Sequence, residues 1–273
     1  LGETAKRVAT AAVLVPALLV AIFLDSTHWS VVAIAVLFAT GAQDEYLRMA
    51  IPATEEDNAG SLRLVAGLLG AAVVLAPSVW DLSALPPLLT FGAVCLALTV
   101  LLRKRHLEQA GRHFGVALSG LLYVPLLMSV LPLLKRGGQA EWLTVTLCMA
   151  FFSDTVAYFF GRAFGKHKLY PAVSPGKTWE GSFGGILGSC LATVGVGSFW
   201  ILPDLPISHA IGLGIVASIC GQTGDLVESM LKRTFGVKDS GKLLPGHGGM
   251  LDRIDALVFV APVAYYYIDL VAT

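Results

Sequence analysis

The chain has 273 residues, 55% of them hydrophobic and only 14% charged, with a mean hydropathy of +0.73. Those values exclude an ordinary soluble domain. Its 19 basic and 19 acidic residues balance, so net charge decides nothing and the placement of the charges carries the information.

Apolar runs of about 17–25 residues are long enough to cross a bilayer as helices. The chain offers about nine of them. They lie near residues 8–24, 29–47, 62–80, 86–102, 114–134, 142–160, 181–201, 208–231 and 254–271. Lipid offers the backbone no hydrogen-bonding partner, so each run is expected to be helical. A membrane β-barrel would alternate in hydropathy over about ten residues at a time. These runs are continuous, which excludes it. The first run follows Lys6 and Arg7 as a signal peptide would, but no small-x-small cleavage site follows Leu24, so it reads as a retained helix. With nine spans and a cytoplasmic N-terminus, 17 of the 19 Lys and Arg residues face the cytoplasm, and only Lys135 and Arg136 lie opposite. That asymmetry is the positive-inside pattern. The expected fold is therefore an all-α polytopic membrane protein. Cys95, Cys148, Cys190 and Cys220 stand singly in apolar runs and read as small buried hydrophobes.

Residues 1–140, with about five spans, hold little that resembles chemistry. Asp44 and Glu45 at the end of the second span read as solvated carboxylates, as does the acidic stretch Thr54-Glu55-Glu56-Asp57-Asn58. Arg103-Lys104-Arg105 reads as an anchor to anionic headgroups. Residues 141–273, with about four spans and two cytoplasmic loops, form the expected catalytic region. Within it, Gly181, Gly184, Gly185 and Gly188 make a small-residue face suited to close helix packing.

Three polar blocks interrupt the apolar pattern. Ser153-Asp154 lies inside the sixth span. The loop Gly161 to Gly181 carries Lys166, His167 and Lys168, then Ser174-Pro175-Gly176-Lys177-Thr178-Trp179-Glu180. Gly176-Lys177-Thr178 looks like the end of a nucleotide P-loop, but Pro171 replaces the required first glycine and no strand is expected before it. What remains is a rigid turn that presents a cation and hydroxyls, suited to a nucleoside triphosphate. In the third block, Glu228, Ser229 and Lys232 share a helical face with Asp225. An ionisable residue at membrane depth costs about 2.5–3.5 kcal/mol. Glu228 and Lys232 can neutralise each other, which leaves Asp225 unexplained. Asp252 and Asp255 open the ninth span just after Gly246-His247-Gly248-Gly249. A helix N-terminus beside glycines favours phosphate. Carboxylates from two helices, Asp225 and Asp252, suit a hard cation such as Mg2+. His247 has no second His or Cys nearby to make a zinc site, so it reads as a phosphate donor or a loop residue.

Ser229-x-Leu231-Lys232-Arg233, Lys238-Asp239 and Leu244-Pro245-Gly246-His247-Gly248-Gly249-Met250-Leu251-Asp252-Arg253-Ile254-Asp255 resemble the signature of the phosphatidate cytidylyltransferases, or CDP-diacylglycerol synthases. Ser174-Pro175-x-Lys177-Thr178-x-Glu180-Gly181 and Asp154-x-x-Ala157-Tyr158-x-x-Gly161 resemble the same family's preceding motifs. The resemblance covers the C-terminal half and is only compositional before it. It implies a reaction of CTP with phosphatidate, giving CDP-diacylglycerol and diphosphate, by a homodimer in the inner membrane with its site facing the cytoplasm. Asp225 and Asp252 would hold Mg2+, with a second cation beside it, and would act with Lys177 and Lys232. Ser174, Thr178, Glu180, Ser229, Arg233, Lys238, Asp239, His247, Gly248, Gly249 and Arg253 would complete the substrate site, with Asp154, Glu228 and Asp255 as supplementary ligands. The expected partners are CTP, phosphatidate and membrane lipid, with no nucleic acid. A CTP-dependent polyprenol or phytol kinase would use similar parts but transfer the γ-phosphoryl group. An ion-coupled transporter would show internal repeats, and none is visible.

Overall fold

The structure is a computed structural model that describes residues 12, 16, 18–25, 27–51, 59–103, 107–136, 140–241, 243 and 248–272. Helices dominate, as the apolar runs require. They are α1 (Trp29–Ala50), α2 (Ala59–Trp80), α3 (Leu85–Leu102), α4 (Leu107–Leu121), α5 (Glu141–Phe164), α6 (Trp179–Leu191), α7 (Ile207–Thr234) and α8 (Leu251–Tyr267). Wider π-type turns extend α4 through Leu122–Leu126, α6 through Ala192–Ile201 and α8 through Ile268–Ala272. Pro125 sits inside the first of these. A proline has no N–H for the ladder and crowds the preceding turn, which favours such a local widening.

Seven helical stretches among the described residues are long and apolar enough to cross a membrane, from Gly60–Trp80 to Leu251–Val271. Each overlaps an expected span, so the chain is an all-α polytopic membrane protein. α1 has the length, but Gln43, Asp44, Glu45 and Arg48 in its last turns keep it out of that set. The span expected near residues 8–24 is described only at residues 12, 16 and 18–24, and residues 54–58, Lys104 and Arg105 lie outside the described residues.

One expectation about the loop before α6 fails. The loop Gly161 to Gly181 contains an antiparallel hairpin, β1 (Lys168–Tyr170) with β2 (Ser174–Thr178), pairing Lys168 with Thr178 and Tyr170 with Ser174. A strand therefore does precede Thr178. The P-loop remains excluded, because β2 runs directly into α6 with no glycine-rich turn between them to wrap a phosphate.

The chain divides into two compact units. One is built on His28–Leu133 and Val237–Arg253, the other on Leu134–Gly236 and the chain from Ile254 onward. In the first unit, Ala39, Ala42, Leu47, Leu62, Ala66, Val74, Leu96 and Leu121 are fully buried. Tyr46 there bonds Ser119 at 2.8 Å. In the second unit, Gly181, Gly184, Gly185 and Gly188 are all buried, and the face they form lies on α5. A Cβ at Gly184 would press on Phe160, and one at Gly188 would strike the Phe152 carbonyl and Val156. Apolar lipid gives helices no hydrophobic reason to associate, so this close small-residue contact supplies the packing. The outward faces are apolar instead: Phe159, Phe183, Leu191, Phe199 and Trp200 are exposed. Lys135 is buried, and its ammonium donates to the Asp25 carbonyl at 2.8 Å.

Candidate active site

In the second unit, α7 places Asp225, Glu228, Ser229 and Lys232 along one face, as the helical period requires. Carboxylate oxygens of Asp225, Glu228 and Asp255 all lie within 4.8 Å of one another. Asp255 comes from α8, and Gly224 is what admits it. A Cβ at Gly224 would strike the Asp255 carbonyl oxygen and lie 2.8 Å from the Phe259 ring. Sequence reading missed Gly224, although a glycine directly before an acid in an apolar helix is the available signal. Asp154 on α5 and Lys177 on β2 complete the surroundings, with Asp154 and Asp255 both in the electrostatic field of Asp225 and Lys177.

Two lysines answer these acids. Lys177 Nζ lies 2.6 Å from Asp225 Oδ2. Lys232 Nζ lies 2.5 Å from Glu228 Oε2, one helical turn away, with Glu228 almost wholly buried. The Glu228–Lys232 pair is the neutralisation anticipated from sequence, and Asp225 finds its partner on the hairpin. Ser229 Oγ donates to Asp225 Oδ1 at 3.4 Å. A polar network one step away fixes the three helices. Ser153 and Ser218 hydroxyls meet at 2.9 Å, and Gln222 donates to Ser218 Oγ at 2.9 Å and to the Ser182 carbonyl at 3.1 Å. Polar bonds between helices of this kind hold membrane bundles in register.

The hairpin is fastened at both ends. Thr178 caps α6 by accepting the Gly181 N–H at 3.1 Å, the N-cap role its hydroxyl favours. Glu180 accepts the backbone N–H groups of Lys166 and His167 at 3.1 and 3.3 Å and meets His167 Nδ1 at 2.7 Å. Arg233 Nε donates to the Val173 carbonyl at 3.4 Å, tying the hairpin turn to the end of α7. Ser174 begins β2. Thr178 and Glu180 thus visibly shape the loop that carries Lys177.

The first unit holds the rest of the expected site. Asp252 Oδ2 accepts N–H groups from Ser240 at 3.1 Å and Gly249 at 2.9 Å. Gly248 adopts φ +80°, a conformation that favours glycine. Lys238, Asp239 and Arg253 are exposed, and His247 lies outside the described residues. The residue that sequence reading misjudged is Glu45. It is 1% exposed rather than solvated. Its Oε2 accepts the Ser240 hydroxyl at 3.2 Å and the Leu251 N–H at 3.0 Å. Asp44, also read as solvated, is bonded by Arg48 Nε at 2.7 Å and Arg63 Nε at 2.7 Å.

A model of the cytidylyltransferase family matches residues 5–271, nearly the whole chain. The chain belongs to the cytidylyltransferase family. It is 47% identical over 128 residues to a phosphatidate cytidylyltransferase of Staphylococcus haemolyticus, covering 47% of this chain and 49% of that one. A phosphatidate cytidylyltransferase of Staphylococcus epidermidis is 49% identical over the same shares. The uncharacterized protein YnbB of Escherichia coli is 44% identical over 139 residues, 51% of this chain and 46% of that one. The chain thus aligns with about half the length of the curated relatives it matches.

For a cytidylyltransferase, the donor set of Asp225, Glu228 and Asp255 consists of hard carboxylate oxygens, the ligands that Mg2+ takes along with water and phosphate. With Asp154 added, four carboxylates stand against Lys177 and Lys232, a surplus of two negative charges when all are ionised. A divalent cation fits that surplus and the spacing.

Proposed function

We propose that this cytidylyltransferase transfers the cytidylyl group of CTP to phosphatidate, giving CDP-diacylglycerol and diphosphate. The carrying observation is a carboxylate cluster set against lysines at the ends of membrane helices. The printed names of the Staphylococcus relatives point the same way. A phosphate oxygen of the lipid attacks the α-phosphorus of CTP, the bond from that phosphorus to the β-bridging oxygen breaks, and diphosphate leaves. Both reactants are anionic and the lipid phosphate is already a nucleophile, so the protein's task is to neutralise and align charge. Within the second unit, Lys177, Lys232 and Arg233 are proposed to bind the phosphate groups, with Ser174 and Ser229 as substrate contacts. In the first unit, the proposed substrate contacts are Lys238, Asp239, His247, Gly248, Gly249 and Arg253.

Mg2+ is the proposed cation, held by Asp225, Glu228 and Asp255, with Asp154 beside them. When bound, it neutralises phosphate charge and polarises the reacting phosphoryl group. Asp252 uses part of its roughly four acceptor positions on backbone amides, which leaves positions for a cation there as well. The proposed topology has nine spans with the N-terminus and both polar loops on the cytoplasmic side of the inner membrane, where CTP is present. A homodimer is the proposed assembly.

Purified protein given phosphatidate, Mg2+ and CTP labelled in either the α or the γ phosphate tests the reading. Label from the α position should enter the lipid and label from the γ position should leave as diphosphate. Entry of the γ label would make the protein a lipid kinase and overturn the proposal.

A further inference from the structure

Glu45 lies almost two hundred positions before the loop it touches, on α1. Its Oε2 receives the Ser240 hydroxyl and the Leu251 N–H, at 3.2 and 3.0 Å, so one buried oxygen draws together both ends of the 240–251 loop. Its other oxygen lies against Gly241, where any Cβ would collide with the carboxylate. A Cβ at Gly249 would stand 2.5 Å from Oε2 and would also strike the Ser240 hydroxyl. Asp252 grips the same loop separately, through the Ser240 and Gly249 N–H groups. Ser240, Gly241, Gly249 and Leu251 therefore close around the Glu45 carboxylate, and the two glycines leave room for it.

We propose that Glu45 is a positioning residue for nucleotide binding, holding Ser240 and Gly241 against residues 249–251 in the arrangement that offers Gly248 and Gly249 to the CTP phosphates. This rests on the cytidylyl-transfer reading. A preformed loop spares the ordering cost that a slack one would incur on binding, so its loss falls on the affinity for CTP. Glutamine can reproduce both accepted hydrogen bonds with its single amide oxygen, whereas alanine can reproduce neither.

Two measurements on the full chain in lipid nanodiscs test the proposal. In the ligand-free protein, Glu45→Ala should speed hydrogen exchange across residues 237–253 at least tenfold while α5–α7 stay protected, and Glu45→Gln should stay within threefold of the parent. In turnover assays, Glu45→Ala should raise KM for CTP at least tenfold with KM for phosphatidate unchanged, and Glu45→Gln should restore it. Unchanged exchange in Glu45→Ala would overturn the loop-holding role. Loosened exchange with an unchanged KM for CTP would overturn the link to nucleotide. If Glu45→Ala does not insert, Ser240→Ala removes one of the two donors and should give a smaller rise of the same kind; no rise would equally overturn the proposal. A parent protein that forms no CDP-diacylglycerol defeats the reading of function instead, while the exchange data still judge the clamp.

Discussion

Lys177 and Asp225 are joined at 2.6 Å, and the pair ties the β-hairpin to the acidic face of α7. Neither residue has a local reason to be where it is. Asp225 lies on a helix whose own nearby cation, Lys232, is occupied with Glu228. Lys177 stands on β2 between Gly176 and Thr178. Together they place a cation directly over the carboxylate cluster, where a phosphate chain and a metal would both need to be met.

Replacing Lys177 should therefore reduce catalysis rather than folding. Lys177→Met keeps the apolar stem and removes the charge. Activity with CTP should fall by about a hundredfold or more, equivalent to about 2.7 kcal/mol of transition-state stabilisation. Lys177→Arg should recover part of it, because guanidinium also binds phosphate but with a different reach. Steady-state kinetics of the three proteins decide the matter, and a Lys177→Met variant within threefold of the parent would remove Lys177 from the site.

Seven of the nine expected spans, and the acidic residues near the end of α7, were legible from sequence for a physical reason: lipid enforces helices, and charge at membrane depth is conspicuous. Asp225 could be flagged as lacking a free opposite charge within its own helix. Its partner could not be named, because the pairing joins residues 48 positions apart through a hairpin of only three and five residues. Glu45 was misread for the same reason. At a helix end a carboxylate is ordinarily solvated, and only the return of residues 237–253 to the first unit buries it. Gly181 to Gly188 were readable because their spacing alone defines a face.

Asp225 and Asp252 should separate by what each loses. Asp225→Asn should abolish turnover at any Mg2+ concentration while the protein remains folded and inserted. Asp255→Asn and Glu228→Gln should shift the Mg2+ dependence to higher concentration. Asp252→Asn keeps one oxygen that can accept both N–H groups and should stay near the parent, whereas Asp252→Ala removes that acceptor and should raise KM for CTP. Mg2+ titrations of initial rate distinguish these cases. A Mg2+ shift in Asp252→Asn as large as that in Asp255→Asn would make Asp252 a ligand too.

The glycine face of α6 should be intolerant of even one methyl group. Gly188→Ala drives a Cβ into the Phe152 carbonyl, and Gly224→Ala does the same at Asp255. Overpacking of this kind costs about 1–3 kcal/mol. Gly212→Ala and Gly67→Ala meet nothing within 4 Å and serve as controls. Thermal unfolding in detergent should place both tight variants below both controls. Gly224→Ala should in addition lose activity, since it forces apart the helices that bring Asp225 to Asp255.

The Glu228–Lys232 pair allows stability and function to be pulled apart. Removing one member of a buried ion pair costs about 3–5 kcal/mol, whereas replacing both with apolar groups of similar size is often neutral. Glu228 is almost wholly buried and the Lys232 side chain is 15% exposed, so the carboxylate end of the pair is in that regime. Glu228→Leu should thus lower thermal stability, and the Glu228→Leu, Lys232→Met double variant should regain most of it. Activity should follow the opposite logic. The double variant lacks one proposed cation ligand and one proposed phosphate contact, so it should remain inactive despite its recovered stability. Recovery of turnover together with stability would reduce the pair to a structural ion pair and confine the chemistry to Asp225, Asp255 and Lys177.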